Sequence, residues 1–305
     1  MKLCLLLSFT LIVNFVFSQS QVKYKLENTD GYFYAYATPS NPKGMLILLP
    51  DFNQTEEDLL KKTKIPEMAY IHGVVTIIVP CGKKVFADRE MVKTLTEVAR
   101  RSIEAYEIPE NKVILGGYGA GGTIALKYAE YCLKYEQDYP ITPSAVYAIE
   151  SQVDVIEAYR ALENKIAKNL DPKAVVEARI AKTIMDNTLG GGPESDLFMY
   201  GAISPFNRMD EKNENIKLLK HTPIRLYNDT DILWHLTENQ TSVYEMPIAS
   251  ASDMVSRLQL MGNNQAELIK TDVDVSKIRE RDINTRTSID EKDLMIWILS
   301  HLKID

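Results

Sequence analysis

The sequence predicts an α/β fold, with a mostly parallel central sheet, helices on both of its faces and a helical insertion between two late strands. Three observations predict it. Apolar runs of strand length alternate with stretches of helical periodicity, the order that builds crossovers in a parallel sheet. One junction, Lys112 to Ala129, holds five glycines within seven residues between an apolar run and a small-residue helix. No Pro/Ser-rich linker, low-complexity run or internal repeat divides the 305 residues, so one large domain accounts for the chain after its leader.

The leader comes first. Lys2 precedes an apolar run reaching Phe17, and Val16 and Ser18 offer small residues before Gln19. That pattern is a secretory signal peptide over residues 1–18, short of the roughly 20 apolar residues a membrane span needs. The expected location is secreted or periplasmic, with residues 19–305 as the folded domain. Cys4 lies too early to be the lipid-bearing cysteine of a lipoprotein.

Val22, Tyr24 and Leu26 alternate with polar residues, turn at Asn28-Thr29-Asp30-Gly31, and resume at Tyr32 to Tyr36, a β-hairpin signature. Gly44 to Pro50 is continuously apolar, as in a strand buried on both faces. Thr55 with Asp58 reads as a capping signal for a short helix. Val74 to Pro80 is the next strand, and Met91 to Tyr106 a helix with Val92, Leu95, Val98, Ala99 and Ile103 on its apolar side. Beyond the glycine-rich junction, strands are expected at Ala145–Ile149, Ile224–Tyr227 and Ala266–Lys270. Between the first two of these lies the insertion, Val155 to His221. Asp154 caps a helix running to Lys168, Asp171-Pro172 starts a second, and Gly190-Gly191-Gly192-Pro193 ends it. The last helix is expected to start at Ser288, with Glu291 completing a capping box and Leu294, Ile298 and Leu302 on one face.

In the junction, Gly117 and Gly121 flank Gly119, the layout of the G-x-S-x-G nucleophile elbow, in which a strained strand-to-helix turn lifts the central side chain to the top of the sheet. Here that centre has no side chain. Gly117-x-Gly119-x-x-Gly122 also fits the dinucleotide-binding pattern, but no acidic residue ends a following strand about 20 residues on. A plain glycine-mediated strand-to-helix turn is the third possibility.

The string Gly116-Gly117-Tyr118-Gly119-Ala120-Gly121-Gly122 resembles the elbow of secreted α/β-hydrolases of the esterase and acyl-hydrolase kind. The hairpin followed by the alternation matches that fold over most of the chain, although only the elbow is a sharp motif. The resemblance implies an α/β-hydrolase fold with Val155–His221 as a lid over the site. It also implies an oxyanion hole or ligand-binding floor at Asp51, Phe52, Tyr118 and Ala120. A triad acid is implied after the seventh strand, with Asp231 first and Asp229 as the other choice.

Serine-based acyl transfer needs a nucleophile, an imidazole and a carboxylate. Gly119 occupies the nucleophile position without a nucleophile. The imidazole belongs between Thr271 and Ser288, where the sequence has no histidine and Asn284-Thr285 stands instead. His235, beside Trp234 and shortly after Asp231, is the candidate to swing toward the site from the loop after the seventh strand, and a partly exposed surface histidine accounts for it equally well; His301, near the end of the last helix, suits the helix dipole better. Asp51 puts negative charge near the place where an oxyanion forms, which opposes ester hydrolysis.

Composition narrows the rest. A formal charge of −7 without basic clusters offers no footprint for nucleic acid or an anionic membrane. His72, His221, His235 and His301 are scattered, so no metal site is expected, and no cofactor is implied. Cys81 and Cys132 are expected as two buried thiols. Asn53, Asn228 and Asn239 each begin a glycosylation pattern. Three functions stay open. One is a secreted hydrolase-fold protein without serine catalysis that binds a small-molecule or protein ligand at the former site. The second is an active esterase or other serine-independent hydrolase or lyase with a rearranged site using Asp51, Asp231 and His235. The third is a scaffold or secretion-apparatus component.

Overall fold

A computed structural model describes residues 21–26, 32–36, 38–238, 240–271 and 289–304. The leader expected at 1–18, the tip of the first hairpin, Asn239 and the segment 272–288, including Ser288, lie outside the described residues.

The chain runs β1 (Gln21–Lys25), β2 (Tyr32–Tyr36), β3 (Gly44–Leu49), α1 (Glu56–Leu60), α2 (Ile65–Ile71), β4 (Val74–Ile78), α3 (Arg89–Tyr106), β5 (Val113–Tyr118) and α4 (Ala120–Lys134). It continues with β6 (Ala145–Ile149), α5 (Val155–Lys168), α6 (Pro172–Leu189), α7 (Leu197–Ile203), β7 (Ile224–Asn228), α8 (Ile232–Glu238), α9 (Pro247–Leu260), β8 (Ala266–Lys270) and α10 (Glu291–Leu302). Among the described residues, eight strands form one sheet in the order β1-β2-β4-β3-β5-β6-β7-β8. The hairpin β1-β2 pairs antiparallel, and β2 docks antiparallel on β4, with Tyr34 opposite Ile78. Every other pairing is parallel.

The continuous apolar strands are explained by helices on both faces. All six residues of β3 are buried. Met45, Ile47 and Leu49 join a core with Leu95 and Val98 of α3, Ile124 and Ala125 of α4, and Met254 and Leu258 of α9. Leu46 and Leu48 join a second core with Ile65 and Ala69 of α2 and Leu294, Ile298 and Leu302 of α10. Each such side chain contributes about 1.5–3 kcal/mol when fully buried.

Caps fix where the helices begin. Thr55 and Asp58 form the expected capping box, and Asp154 and Asp171 cap α5 and α6 as their sequences predict. The last helix differs. Its cap is Asp290, which accepts from the Lys292 and Asp293 amides, while Glu291 faces away and binds the Lys64 amide at 3.1 Å and the Thr63 hydroxyl at 2.5 Å. Glu291 therefore serves the start of α2 rather than its own helix. Nothing in local sequence distinguishes the two uses.

The insertion between β6 and β7 is helical as expected. Val155, Ile156 and Tyr159 of α5, Met185 of α6 and Tyr200 and Ile203 of α7 form a third, smaller core that reaches the body through Phe86. Beneath it Lys127 and Glu130 of α4 make a buried ion pair of 2.7 Å, and Lys127 also donates to the Ser204 carbonyl at 3.2 Å. Cys81 and Cys132 are buried free thiols.

Candidate active site

The junction read as an elbow is a strand, a one-residue turn and a helix. Gly119 lies between β5 and α4 with φ +50° and ψ −123°, a conformation that L side chains adopt only under strain. Gly117 and Gly121 let strand and helix touch: a Cβ on Gly117 lands 2.4 Å from the Gly121 backbone, and one on Gly121 lands 2.4 Å from the Pro50 carbonyl.

The decisive contact comes from the loop after β3. Asp51 turns its carboxylate over the elbow, where Oδ1 accepts the Phe52 amide at 2.7 Å and the Ala120 amide at 2.8 Å. The amide after the nucleophile position and one from the β3 loop are the two donors of an oxyanion hole in this kind of elbow. Here both are occupied by the chain's own carboxylate. A Cβ built on Gly119 falls 2.0 Å from Asp51 Oδ1, 2.2 Å from Cγ and 2.5 Å from Oδ2. The space of the nucleophile and the space of the oxyanion are thus filled by one side chain. Burial pushes the Asp51 carboxyl above the usual carboxylate range, opposed by the Ala120 and Phe52 amides and by Lys62 and Lys165. Phe52, Tyr118 and Ala120 around it are half-buried.

A second group stands at the ends of β6, β7 and β8. His235 on α8 places its Nε2 3.0 Å from Asp229 Oδ2, within hydrogen-bond distance. Asp231, the first choice from sequence, accepts the Trp234 amide at 3.1 Å at the start of α8, and its own amide donates to Asp229 Oδ1 at 2.8 Å; Asp229, the other choice, carries the 3.0 Å contact to His235. An aspartate just before a helix is drawn to the free amides of the first turn, which leaves the residue two positions earlier to meet the imidazole. Trp234 packs edge-on to His235, with ring centres 4.9 Å apart. The Asp229 amide donates to Glu150 Oε1 at 2.6 Å.

Glu150 was missed by sequence reasoning. It follows β6 with φ +50°, a left-handed backbone rare outside glycine and asparagine, and no local signal announces it. Ser151, whose Oγ lies 2.0 Å from where a Gly122 Cβ falls, is a packing partner of the elbow helix that was also missed.

His301 is at the other end of the molecule. Its Nδ1 lies 2.7 Å from the Trp297 carbonyl, and the neighbouring Leu302 packs on Gly44 and accepts from Lys112, at the starts of β3 and β5. Among the described residues no group of His, Cys, Asp or Glu is arranged to hold a metal ion. No helix of the described residues is long and apolar enough to cross a membrane. Of the glycosylation patterns, Asn53 is exposed, Asn228 is buried at 1% exposure and closed to an enzyme in the folded state, and Asn239 lies outside the described residues.

The sequence matches no family model and no curated protein sequence. Solved structures do match. Carboxyl esterase 2 from the mycorrhizal fungus Tuber melanosporum superposes with a TM-score of 0.59 at 15% identity, covering 96% of this chain and 89% of that one. The Francisella virulence factor BioJ gives 0.58 at 13% identity, covering 94% and 85%. A hormone-sensitive lipase from a metagenome library gives 0.56 at 11% identity, covering 93% and 86%. These likenesses establish the fold. The chain has the α/β-hydrolase fold over nearly its whole described length, and the dinucleotide-binding reading of the glycines is set aside.

Proposed function

We propose that this is an α/β-hydrolase-fold protein without serine-hydrolase catalysis, which binds a ligand or partner at the former active site beneath the helical insertion. The observation that carries this is Asp51 seated on the Phe52 and Ala120 amides, within 2.0 Å of where a side chain on residue 119 begins. The sequence adds that no histidine stands between Thr271 and Ser288. Nucleophile, base and oxyanion hole are therefore all altered, at three separate positions. Helices α5 to α7 act as a lid, and the leader at 1–18 directs the protein out of the cytoplasm.

A rearranged hydrolase is the second reading, and it rests on the His235–Asp229 contact of 3.0 Å, half of a triad kept in place. The test is hydrolysis of short- and medium-chain p-nitrophenyl esters by the purified protein beside a His235→Ala variant. Rates equal to buffer in both support the silent reading. Turnover that His235→Ala abolishes overturns it in favour of the second.

A further inference from the structure

Backbone amides at an oxyanion hole bind oxygen acceptors, and they do so whether or not a nucleophile stands beside them. In this protein the pair is kept, with geometry short enough for charge-assisted hydrogen bonds, 2.7 and 2.8 Å. The occupant is a carboxylate attached to the same chain.

We propose that Asp51 is a tethered internal ligand that closes the pocket against a carboxylate-bearing ligand, which binds by displacing the Asp51 carboxylate from the Phe52 and Ala120 amides. The inference rests on the reading of the former active site as a binding site and names its ligand class and its latch.

Three features support it. First, the occupant itself shows what the amides accept: one carboxylate oxygen serves both, and the atoms nearest a Cβ built on Gly119 are all from that same side chain. Second, two lysines favour an anion here, against the burial that pushes the Asp51 carboxyl up. Lys62, from the connection between α1 and α2, and Lys165, from α5, both act on the Asp51 carboxylate. They belong to different elements, and neither depends on the Asp51 side chain for its place in the sequence. Third, the tether is short and local. Asp51 bonds the amide of the very next residue, so the latch is a single side chain of the β3 loop and not a separate element.

A pocket blocked by an internal competitor shows an apparent affinity reduced by the fraction of molecules in which it is open. If the carboxylate is seated nine times in ten, removing it strengthens ligand binding about tenfold. The experiment is titration of the full-length protein, wild type and Asp51→Ala, with sodium butyrate, following the Phe52 and Ala120 amide resonances by NMR. Butylamine and sodium chloride serve as cation and salt controls. The expected result is a gain of about tenfold or more in butyrate affinity for Asp51→Ala, with both amides moving together and no response to butylamine. Equal butyrate affinity in the two proteins, or a gain without movement of the two amides, overturns the proposal. So does butylamine binding to the wild type at these amides, since that makes Asp51 the recognition group rather than the block. Should Asp51→Ala fail to fold, the isosteric Asp51→Asn decides, because it keeps an acceptor but loses the charge. A rise of threefold or more supports the latch, and no rise overturns it. Ester turnover by the wild type removes the silent-hydrolase reading on its own and leaves the amide titration to judge the latch.

Discussion

Placing a serine at the centre of the elbow is the sharpest perturbation this structure suggests. In Gly119→Ser the new Cβ meets Asp51 Oδ1 at 2.0 Å and Cγ at 2.2 Å, so the carboxylate must leave its place. Its departure breaks two hydrogen bonds to a charged acceptor, each contributing about 1.5–3 kcal/mol when made. Water reaching the half-buried loop recovers part of that, which leaves a net loss of about 2–3 kcal/mol. The backbone at φ +50° adds about 1–3 kcal/mol of strain for a residue with a side chain. Gly119→Ser alone therefore destabilises the fold by about 3–6 kcal/mol, whereas in an Asp51→Ala background only the strain remains, about 1–3 kcal/mol. Urea unfolding of the four proteins of this cycle measures the difference as a coupling of about 2–3 kcal/mol, with the double variant more stable than the two single losses sum to. Equal cost of Gly119→Ser in both backgrounds, within about 0.5 kcal/mol, refutes the claim that Asp51 holds the nucleophile's space. Neither serine variant is expected to hydrolyse p-nitrophenyl butyrate, because the sequence has no histidine between Thr271 and Ser288 to take the serine proton.

Further expectations follow from other contacts. Burial raises the Glu130 carboxyl from 4.5 to about 7, with Lys127 opposing. A carboxyl raised in the folded state favours the native protein when protonated, so this group's contribution is full below about pH 4.5 and falls away as pH rises toward 7. Unfolding free energies across that range should flatten in Glu130→Gln; an unchanged slope would show that the titration lies elsewhere. Asp229→Asn should alter the tautomer or ring environment of His235 seen by nitrogen NMR while Asp231→Asn leaves it alone, and the reverse result would restore Asp231 as the partner. Replacing Asp154 by Ala removes a cap that binds the Ile156 and Glu157 amides and also the Arg208 amide, at a cost of about 1–2 kcal/mol measured by chemical denaturation. Cys81 and Cys132 should resist thiol labelling in the native protein and react together on unfolding, as followed by mass spectrometry of the labelled peptides.

Much of the fold was legible because it is written in local chemistry. The alternation of Gly44–Leu49 and Val74–Ile78 with helical stretches, the aspartates before α5 and α6, and the glycines around residue 119 each obey a rule that holds within a few residues. What escaped depends on partners distant in sequence. Glu291 looks like a member of its own helix's capping box, but its carboxylate is claimed by Thr63 and Lys64, more than two hundred residues earlier. Asp231 and Asp229 are equivalent on paper, and only the path of α8 decides which one meets His235. Asp51 was legible as a charge unfavourable to an oxyanion, though not as the group that fills the hole, since that requires the β3 loop and the elbow to be seen side by side.

The seated carboxylate also dictates the order in which mutations can rebuild a hydrolase here. A serine arriving first at residue 119 collides with Asp51, and a histidine arriving first has nothing to activate. Only loss of the Asp51 carboxylate opens the way for the other two steps, and that loss by itself brings no catalysis and removes two hydrogen bonds. A path toward ester hydrolysis on this fold thus begins with a step that selection for activity does not reward, since the Asp51 contact must be lost before a side chain at residue 119 has room.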